Sequence, residues 1–367
     1  MMGHRVMWPV PLAALLLWAR NPATEFAAGV SALQAGDLAR AEQAFQAVLK
    51  LQPGHAGALG NLGVVYSRMG RPVDAVRVYA RALRVNPKDV ALLVNLGLAH
   101  LKLDQHGQAA EAFKRALALD PANVRVQQLL AGAQIYTGET QAAVKTLEKL
   151  PRDAGVLYFL SLGYLKLGER AKAATTMQQM FSLLSEPQAL FLRGKALYES
   201  GLFEEALASL VRAQDLQATL PGLQLELGKV YLSLRDAQLA ESCLRRALDE
   251  PDSQTQARYY LGALLVQNGR VEEGAEHLST VVKFHSEMWG ALYYLGRARL
   301  EQRRLTEAVG LLERAARLAP EQPAVFQQLA RAYAAAGRRQ DSQRAAERLR
   351  ALSARKRQRE QGMLGKE

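Results

Sequence analysis

Residues 56–89 read AGALGNLGVVYSRMGRPVDAVRVYARALRVNPKD, and this 34-residue stretch contains the unit from which the chain is built. Leu62 and Tyr66 are four residues apart, as on one face of a helix. Gly70 suits the left-handed backbone conformation at which many helices end. A second helical pattern follows and stops at Pro87, because proline cannot continue a helix. The stretch therefore predicts two helices joined by a short turn.

A small residue returns at the same place in ten successive units. Consecutive members are 34 residues apart, except for one step of 30 and one of 33. The ten residues are Gly29, Gly63, Gly97, Ala131, Ser161, Gly194, Gly228, Gly262, Gly296 and Ala330. A second small residue follows each of them, at Ala41, Ala75, Ala109, Ala143, Ala173, Ala206, Ala240, Gly274, Ala308 and Ser342. Because helices pack closely only where side chains are small, the period predicts a solenoid of helix pairs.

These residues resemble the tetratricopeptide repeat family over residues 22–356, with units that start near residues 22, 56, 90, 124, 154, 187, 221, 255, 289 and 323. Seven units carry the family's glycine between the two helices, at Gly36, Gly70, Gly138, Gly168, Gly201, Gly269 and Gly337. Asp104, Arg235 and Arg303 take that place in the other three. The resemblance implies an all-α fold, a right-handed α-solenoid of about ten helix-turn-helix repeats.

The fourth unit is about one helical turn short, because Leu150 is followed at once by Pro151. We expect its second helix to end early. This irregularity divides the predicted array into residues 22–153, with repeats one to four, and residues 154–356, with repeats five to ten and a capping helix. Residues 357–367 are predicted to form a basic flexible tail.

Residues 1–21 have the pattern of a signal peptide or an N-terminal membrane anchor. After Arg5, residues 6–19 (VMWPVPLAALLLWA) are apolar throughout. Fourteen residues match the core of a secretory signal but are short for a membrane-spanning helix. A cleaved signal, an uncleaved anchor and a hydrophobic N-terminal cap all remain open. We expect an exported protein, periplasmic or extracellular, or a membrane-anchored one, and a cytoplasmic location also stays open.

The net charge of +12 is concentrated near the C-terminus. Residues 289–367 hold 17 Lys and Arg against 8 Asp and Glu, whereas the first 288 residues hold 30 against 27. Such an end can attract nucleic acid, anionic lipid or acidic protein, or can be a solvated final helix. No nucleic acid is expected, because the charges are not interleaved with aromatic residues on which bases stack.

The chain lacks the patterns of known catalytic and metal sites. No two of its six histidines are three or four residues apart, and HExxH is absent. Cys243 is the only cysteine, which excludes an intrachain disulfide and a four-cysteine zinc site. The acid pairs Glu204–Glu205 and Glu272–Glu273 fall in first helical turns, where carboxylates stabilise the helix dipole. We predict no enzymatic activity and no cofactor.

By resemblance to the family, the first helix of each unit lines a concave groove. Its fifth and sixth positions carry Tyr158 and Phe159, Phe191 and Leu192, Tyr259 and Tyr260, and Tyr293 and Tyr294. Its ninth position carries Lys195, Lys229, Arg297 and Arg331. Aromatic rings offer contact area and cations pair with carboxylates, so the groove predicts protein or peptide partners with apolar and acidic residues. Alternatively, one tyrosine of each pair packs within the stack.

The first half of the predicted groove is different. Asn61 and Asn95 hold the sixth position in two successive units, where their amides can hydrogen-bond to the backbone of a bound peptide. We thus predict a non-catalytic scaffold for protein–protein interaction. The alternatives are a basic adaptor that binds an anionic surface through its C-terminal region, and an accessory subunit of an enzyme complex.

Overall fold

The computed structural model of the chain describes residues 21–364, which form helices and turns and no β-strand. These residues divide into two compact units, 21–137 and 138–364. This division falls within the fourth repeat, and the predicted division after residue 153 stays a prediction. The predicted signal or anchor, residues 1–21, lies outside the described residues except for Asn21. The all-α fold class is confirmed.

Residues 21–137 contain seven helices, which form three complete pairs and the first helix of the fourth pair. They are α1 (Pro22–Gln34), α2 (Leu38–Leu51), α3 (Ala56–Arg68), α4 (Pro72–Val85), α5 (Val90–Leu101), α6 (His106–Leu119) and α7 (Val124–Thr137). Odd numbers denote the first helix of a repeat and even numbers the second. The predicted unit of two helices and a turn is thus confirmed in this part of the chain.

Residues 138–364 contain thirteen helices with the same alternation. They are α8 (Thr140–Leu147), α9 (Ala154–Lys166), α10 (Arg170–Met180), α11 (Glu186–Glu199), α12 (Phe203–Leu216), α13 (Leu223–Ser233), α14 (Ala237–Ala247), α15 (Gln254–Gln267), α16 (Val271–Phe284), α17 (Trp289–Glu301), α18 (Leu305–Leu318), α19 (Pro323–Ala335) and α20 (Arg339–Leu364). Helix α8 has only 8 residues, so the second helix of the fourth repeat ends early, as Pro151 predicts.

The ends of the helices follow local sequence signals. The Asp89 carboxylate accepts a hydrogen bond from the Leu92 amide at 3.0 Å, and this cap satisfies a backbone donor that the helix leaves unpaired. The predicted turn glycines all have positive φ. Asp104, Arg235 and Arg303 adopt the same conformation, with φ of 55°, 62° and 62°. Side chains with a Cβ are strained there, so these three turns are less stable than their glycine counterparts.

The recurring small residues lie where two helices of a repeat touch. A Cβ added to Gly262 on α15 would lie 2.7 Å from Cγ of Leu278 and 3.0 Å from the carbonyl oxygen of Gly274, both on α16. In the other unit a Cβ on Gly29 would lie 2.7 Å from the Phe45 ring. Neither contact leaves room for a side chain. The predicted solenoid of closely packed helix pairs is therefore confirmed within each unit.

The last helix, α20, is 26 residues long and ends at Leu364. Ala345 and Leu352 are buried, so its first part closes the stack. The helix continues past residue 357, where the sequence predicts the start of a flexible tail. Arginine, lysine, glutamine and glutamate dominate this stretch and favour helix. Residues 365–367 lie outside the described residues.

Candidate functional site

Four tyrosines of the predicted groove come together on α15 and α17. The ring centroids of Tyr259 and Tyr260 are 5.0 Å apart, and those of Tyr293 and Tyr294 are 4.9 Å apart. Tyr259 and Tyr294 join the two pairs across neighbouring repeats, with centroids 6.4 Å apart. All four rings are half-buried. We call these four residues the tyrosine cluster.

Two rings of the cluster make contacts that join the eighth and ninth repeats. A Cβ added to Gly290 would lie 2.6 Å from the hydroxyl oxygen of Tyr259, so this ring covers the start of the next repeat. The Gln267 amide donates a hydrogen bond to the hydroxyl of Tyr294 at 2.8 Å, and burial raises the pKa of that hydroxyl. Tyr260 and Tyr293 pack against buried residues as well, Tyr260 against the cluster around Leu244 and Tyr293 against the cluster around Leu312.

The same covering contact recurs at other repeats. A Cβ on Gly222 would lie 3.4 Å from the ring of Phe191, and one on Gly57 would lie 3.3 Å from the ring of Phe26. A fifth-position aromatic ring therefore packs over a glycine of the following repeat. In the fifth repeat, Tyr158 and Phe159 form an edge-to-face pair with centroids 5.2 Å apart.

The four cations predicted at the ninth position form what we call the cation row, and the charge of one of them, Lys229, is compensated inside the stack. Lys229 is 9% exposed, and its ammonium group donates a hydrogen bond to the Glu226 carboxylate at 2.7 Å. Glu199 lies 3.9 Å from the same ammonium nitrogen, which sits 4.6 Å from the centre of the Tyr198 ring. Burial lowers the pKa of Lys229, but Glu226, Glu199 and Tyr198 together outweigh it and raise that pKa above its ordinary value.

Glu226 interrupts the predicted aromatic series and is the acidic centre of this network. It is 6% exposed and also lies 3.8 Å from the ammonium nitrogen of Lys195. Lys195 in turn stands over the Phe191 ring at 5.4 Å. The i, i+3 spacing of Glu226 and Lys229 on α13 was the sequence signal for this pair. A carboxylate buried among cations fixes the local arrangement of α11 and α13.

The two arginines of the row keep more of their surface. The Arg297 guanidinium pairs with Glu301 at 3.1 Å, four residues further along the same helix. Arg331 is exposed and donates a hydrogen bond to the Gln328 side chain at 3.2 Å. Exposed pairs of this kind contribute little and exchange readily with a competing carboxylate.

Residues 21–137 present a different surface at the same positions. Asn61 on α3 and Asn95 on α5 are half-buried. Val64 and Leu98 take the ninth position there, where the other unit has cations. Within residues 21–364 no side-chain hydrogen bond fixes the amide of Asn61 or that of Asn95.

The described residues hold no cluster of histidine, cysteine or carboxylate side chains that could bind a metal ion. Cys243 is buried, and burial raises the pKa of its thiol although Arg246 opposes the shift. Such a thiol is unreactive. Between residues 21 and 364 no helix is both long and apolar enough to cross a bilayer.

Two family models, each described as a tetratricopeptide repeat, match the chain. One matches residues 32–101 and 100–162, and the other residues 160–221, 225–287 and 264–323. No curated protein matches.

Solved structures to which the chain is similar include "MamA RS-1 ArsTM double mutant", with 20% identity and a TM-score of 0.42 over 47% of this chain and 97% of that one. Another is "Crystal structure of MamA protein", with 21% identity and a TM-score of 0.35 over 53% of this chain and 90% of that one.

Proposed function

Because the chain belongs to the tetratricopeptide repeat family, we propose that it is a non-catalytic scaffold that binds other proteins through the groove of repeats five to ten. The partner segments carry apolar and acidic residues. Residues 1–21 export the protein or hold it at a membrane.

The tyrosine cluster carries this proposal. Tyrosine combines a large contact area with a hydrogen-bonding hydroxyl, and it is enriched among the residues that dominate binding energy. Tyr259 and Tyr294 are anchored by Gly290 and Gln267, so the cluster is held rigid before a partner arrives. A preformed aromatic surface loses little side-chain entropy on binding, which favours affinity.

The acidic preference of the partner rests on Lys195, Arg297 and Arg331. These side chains remain partly exposed beside the aromatic residues. Lys229 contributes less, because Glu226 already compensates its charge. A partner carboxylate would therefore pair with the cations on either side of the seventh repeat.

The test is a cross-linking pull-down followed by mass spectrometry, with the full chain and a Tyr260→Ala/Tyr293→Ala variant. These two rings are chosen because Tyr259 and Tyr294 make the contacts with Gly290 and Gln267 that join the eighth and ninth repeats. We expect the variant to recover each specific partner at least about tenfold less, since hot-spot residues contribute roughly 2 kcal/mol or more. Because both rings also pack against buried residues, a melting curve must show that the variant is folded at the temperature of the pull-down.

The matched control is Asn61→Ala/Asn95→Ala, which removes two side chains from the same repeat position in the other unit. Partner recovery should be unchanged in this control. Equal recovery by the tyrosine variant and the parent would contradict the proposal. Loss in the asparagine variant alone would place the binding surface in residues 21–137.

A second candidate function, a basic adaptor at an anionic membrane surface, is favoured by α20. The side chain of Arg344 is 77% exposed and lies 3.8 Å from Asp341, and that of Arg355 is 62% exposed and lies 4.0 Å from Glu321. Such loose pairs leave positive charge for anionic lipid. Co-sedimentation with phosphatidylserine vesicles should then be strong at low salt and lost at high salt, because salt screens exposed charges.

The role of residues 1–21 has its own test. N-terminal sequencing of the mature protein from fractionated cells should give either a new N-terminus near residue 20, for a cleaved signal, or an intact chain in the membrane fraction, for an anchor. An intact chain in the cytoplasmic fraction would contradict both.

A further inference from the structure

A cavity of about 300 Å³ opens between the fifth and sixth repeats. Helices α9 and α10 form one side and α11 and α12 the other. Its apolar lining includes Met177, Phe181 and Leu197, and its polar lining includes Arg170, Arg193 and Glu205. None of the predicted groove residues lines it.

Arg193 occupies a position that is apolar in every other repeat. The residue immediately before the recurring small residue is otherwise alanine or leucine, at Ala28, Leu62, Leu96, Leu130, Leu160, Leu227, Leu261, Leu295 and Leu329. Most of these leucines are buried, whereas Arg193 is exposed. The sixth repeat therefore lacks the side chain that would fill the space against the fifth.

The helices around Arg193 also pack less regularly than those of the other repeats. Helix α10 has 11 residues where α12 has 14, and it packs only loosely against α11. In the later repeats, each second helix packs more extensively against the first helix that follows it. Of the two helices of the preceding repeat, α11 instead packs mainly against α9, the first one. The cavity thus lies where α10 and α11 pack loosely beside a polar residue at an otherwise apolar position.

The positive charge at the cavity is not compensated within the described chain. Arg71, Arg245, Arg270 and Arg338 each pair with two carboxylates. By contrast, the guanidinium groups of Arg170 and Arg193 form no hydrogen bond or ion pair within residues 21–364. Glu205 is the single carboxylate of the lining, so the cavity keeps a net positive charge.

We propose that this cavity is a second binding site, for a protein segment with a carboxylate beside a large apolar side chain. The apolar side chain enters between Met177, Phe181 and Leu197, and the carboxylate pairs with Arg193 and Arg170. Guanidinium groups bind carboxylates through two parallel hydrogen bonds, which gives the contact direction as well as strength. The volume lies at the lower end of the range for ligand pockets, roughly 300–1,000 Å³.

The test begins with selection of phage-displayed random peptides against the full chain. The selected peptides should share an aspartate or glutamate next to leucine, phenylalanine or methionine. A synthetic peptide with the strongest sequence is then titrated against the parent and Arg193→Leu. Binding to the variant should be weaker by roughly tenfold or more, as expected for loss of a charged hydrogen bond.

The melting temperature of Arg193→Leu shows whether this variant is still folded. Leucine restores the residue that most other repeats carry, so this variant should melt at the same temperature as the parent or higher. Arg193→Lys, which keeps the charge but loses the paired hydrogen bonds, should bind with intermediate affinity. A loss of binding can then be assigned to the cavity rather than to unfolding.

The Tyr260→Ala/Tyr293→Ala variant separates this site from the groove. The selected peptide should bind that variant as tightly as the parent. The proposal would be overturned if no such sequence is selected, if Arg193→Leu binds the peptide equally well, or if only the tyrosine variant loses binding. Failure of the groove proposal would leave the peptide result unchanged.

Discussion

The two compact units place their aromatic residues in opposite ways. In residues 21–137 the residue opposite the small one is aromatic, with Phe45, Tyr79 and Phe113 fully buried against glycine. In residues 138–364 the same position carries Leu210, Leu244, Leu278 and Leu312. There seven aromatic residues lie at the fifth and sixth positions, where residues 21–137 have only Phe26. One helix-pair framework thus accepts either core, and under the proposed function the second unit supplies the binding surface.

The largest effect is expected where an aromatic ring fills the core. Phe113→Ala should lower the free energy of unfolding by about 3–5 kcal/mol, because Phe113 is 0% exposed and its removal leaves a cavity. Phe191→Ala removes the same ring from the predicted groove and should cost clearly less. Urea denaturation of both variants measures the difference. Equal costs would mean that the two units do not differ as described.

A side chain added at a helix contact should have the next largest effect. Gly262→Leu places atoms against Leu278 and the Gly274 carbonyl and should cost about 1–3 kcal/mol by overpacking. Gly310→Leu is the control, because a Cβ at Gly310 on α18 meets nothing within 4 Å. This control should be neutral or slightly stabilising, since glycine disfavours helix. A melting temperature unchanged by Gly262→Leu would refute the register of the repeats.

The strained turns should respond in the opposite direction. Arg235→Gly and Asp104→Gly, one in each unit, should each raise the free energy of unfolding by about 1 kcal/mol, because glycine adopts positive φ without a steric penalty. Thermal denaturation provides the measurement. Destabilisation by both variants would show that their side chains contribute more than the backbone strain removes.

The smallest effect concerns pH and residues 138–364 alone. Burial lowers the pKa of His277 and of His285, so the folded chain binds protons at these two rings less readily than the unfolded chain does. In the unfolded chain the two histidines take up protons at a pKa of about 6.5. Their contribution to the free energy of unfolding is therefore present above that pH and is lost as the pH falls through the lower pKa of the folded chain. The urea midpoint should decrease between pH 7 and pH 5. The urea midpoint of a His277→Gln/His285→Gln variant should decrease less over the same pH range. An equal decrease in parent and variant would contradict the assignment to these two histidines.

The sequence predicts the fold well because the period records contacts between neighbouring residues of the same repeat. Gly262 and Leu278 pack as that period requires, and the turn residues from Gly36 to Gly337 have the predicted backbone conformation. Even the early end of α8 follows from one residue, Pro151.

The sites are less predictable because they depend on contacts between repeats. Repeat position alone placed Lys229 in the cation row, but its burial depends on Tyr198 and Glu199 of α11 and on Glu226. The sequence does show that Arg193 stands where the other repeats carry alanine or leucine. The cavity beside it also needs the loose packing of α10 against α11, which no repeat position encodes.

Site-specific photo-crosslinking compares the two units most directly. A photoreactive phenylalanine analogue is placed at Tyr260 in one chain and at Asn61 in another, and each is irradiated with the cell extract. Partner proteins should cross-link to position 260, an excess of unmodified chain should reduce these cross-links, and position 61 should give none. Cross-links from position 61 with none from position 260 would contradict the claim that the aromatic groove binds the partner.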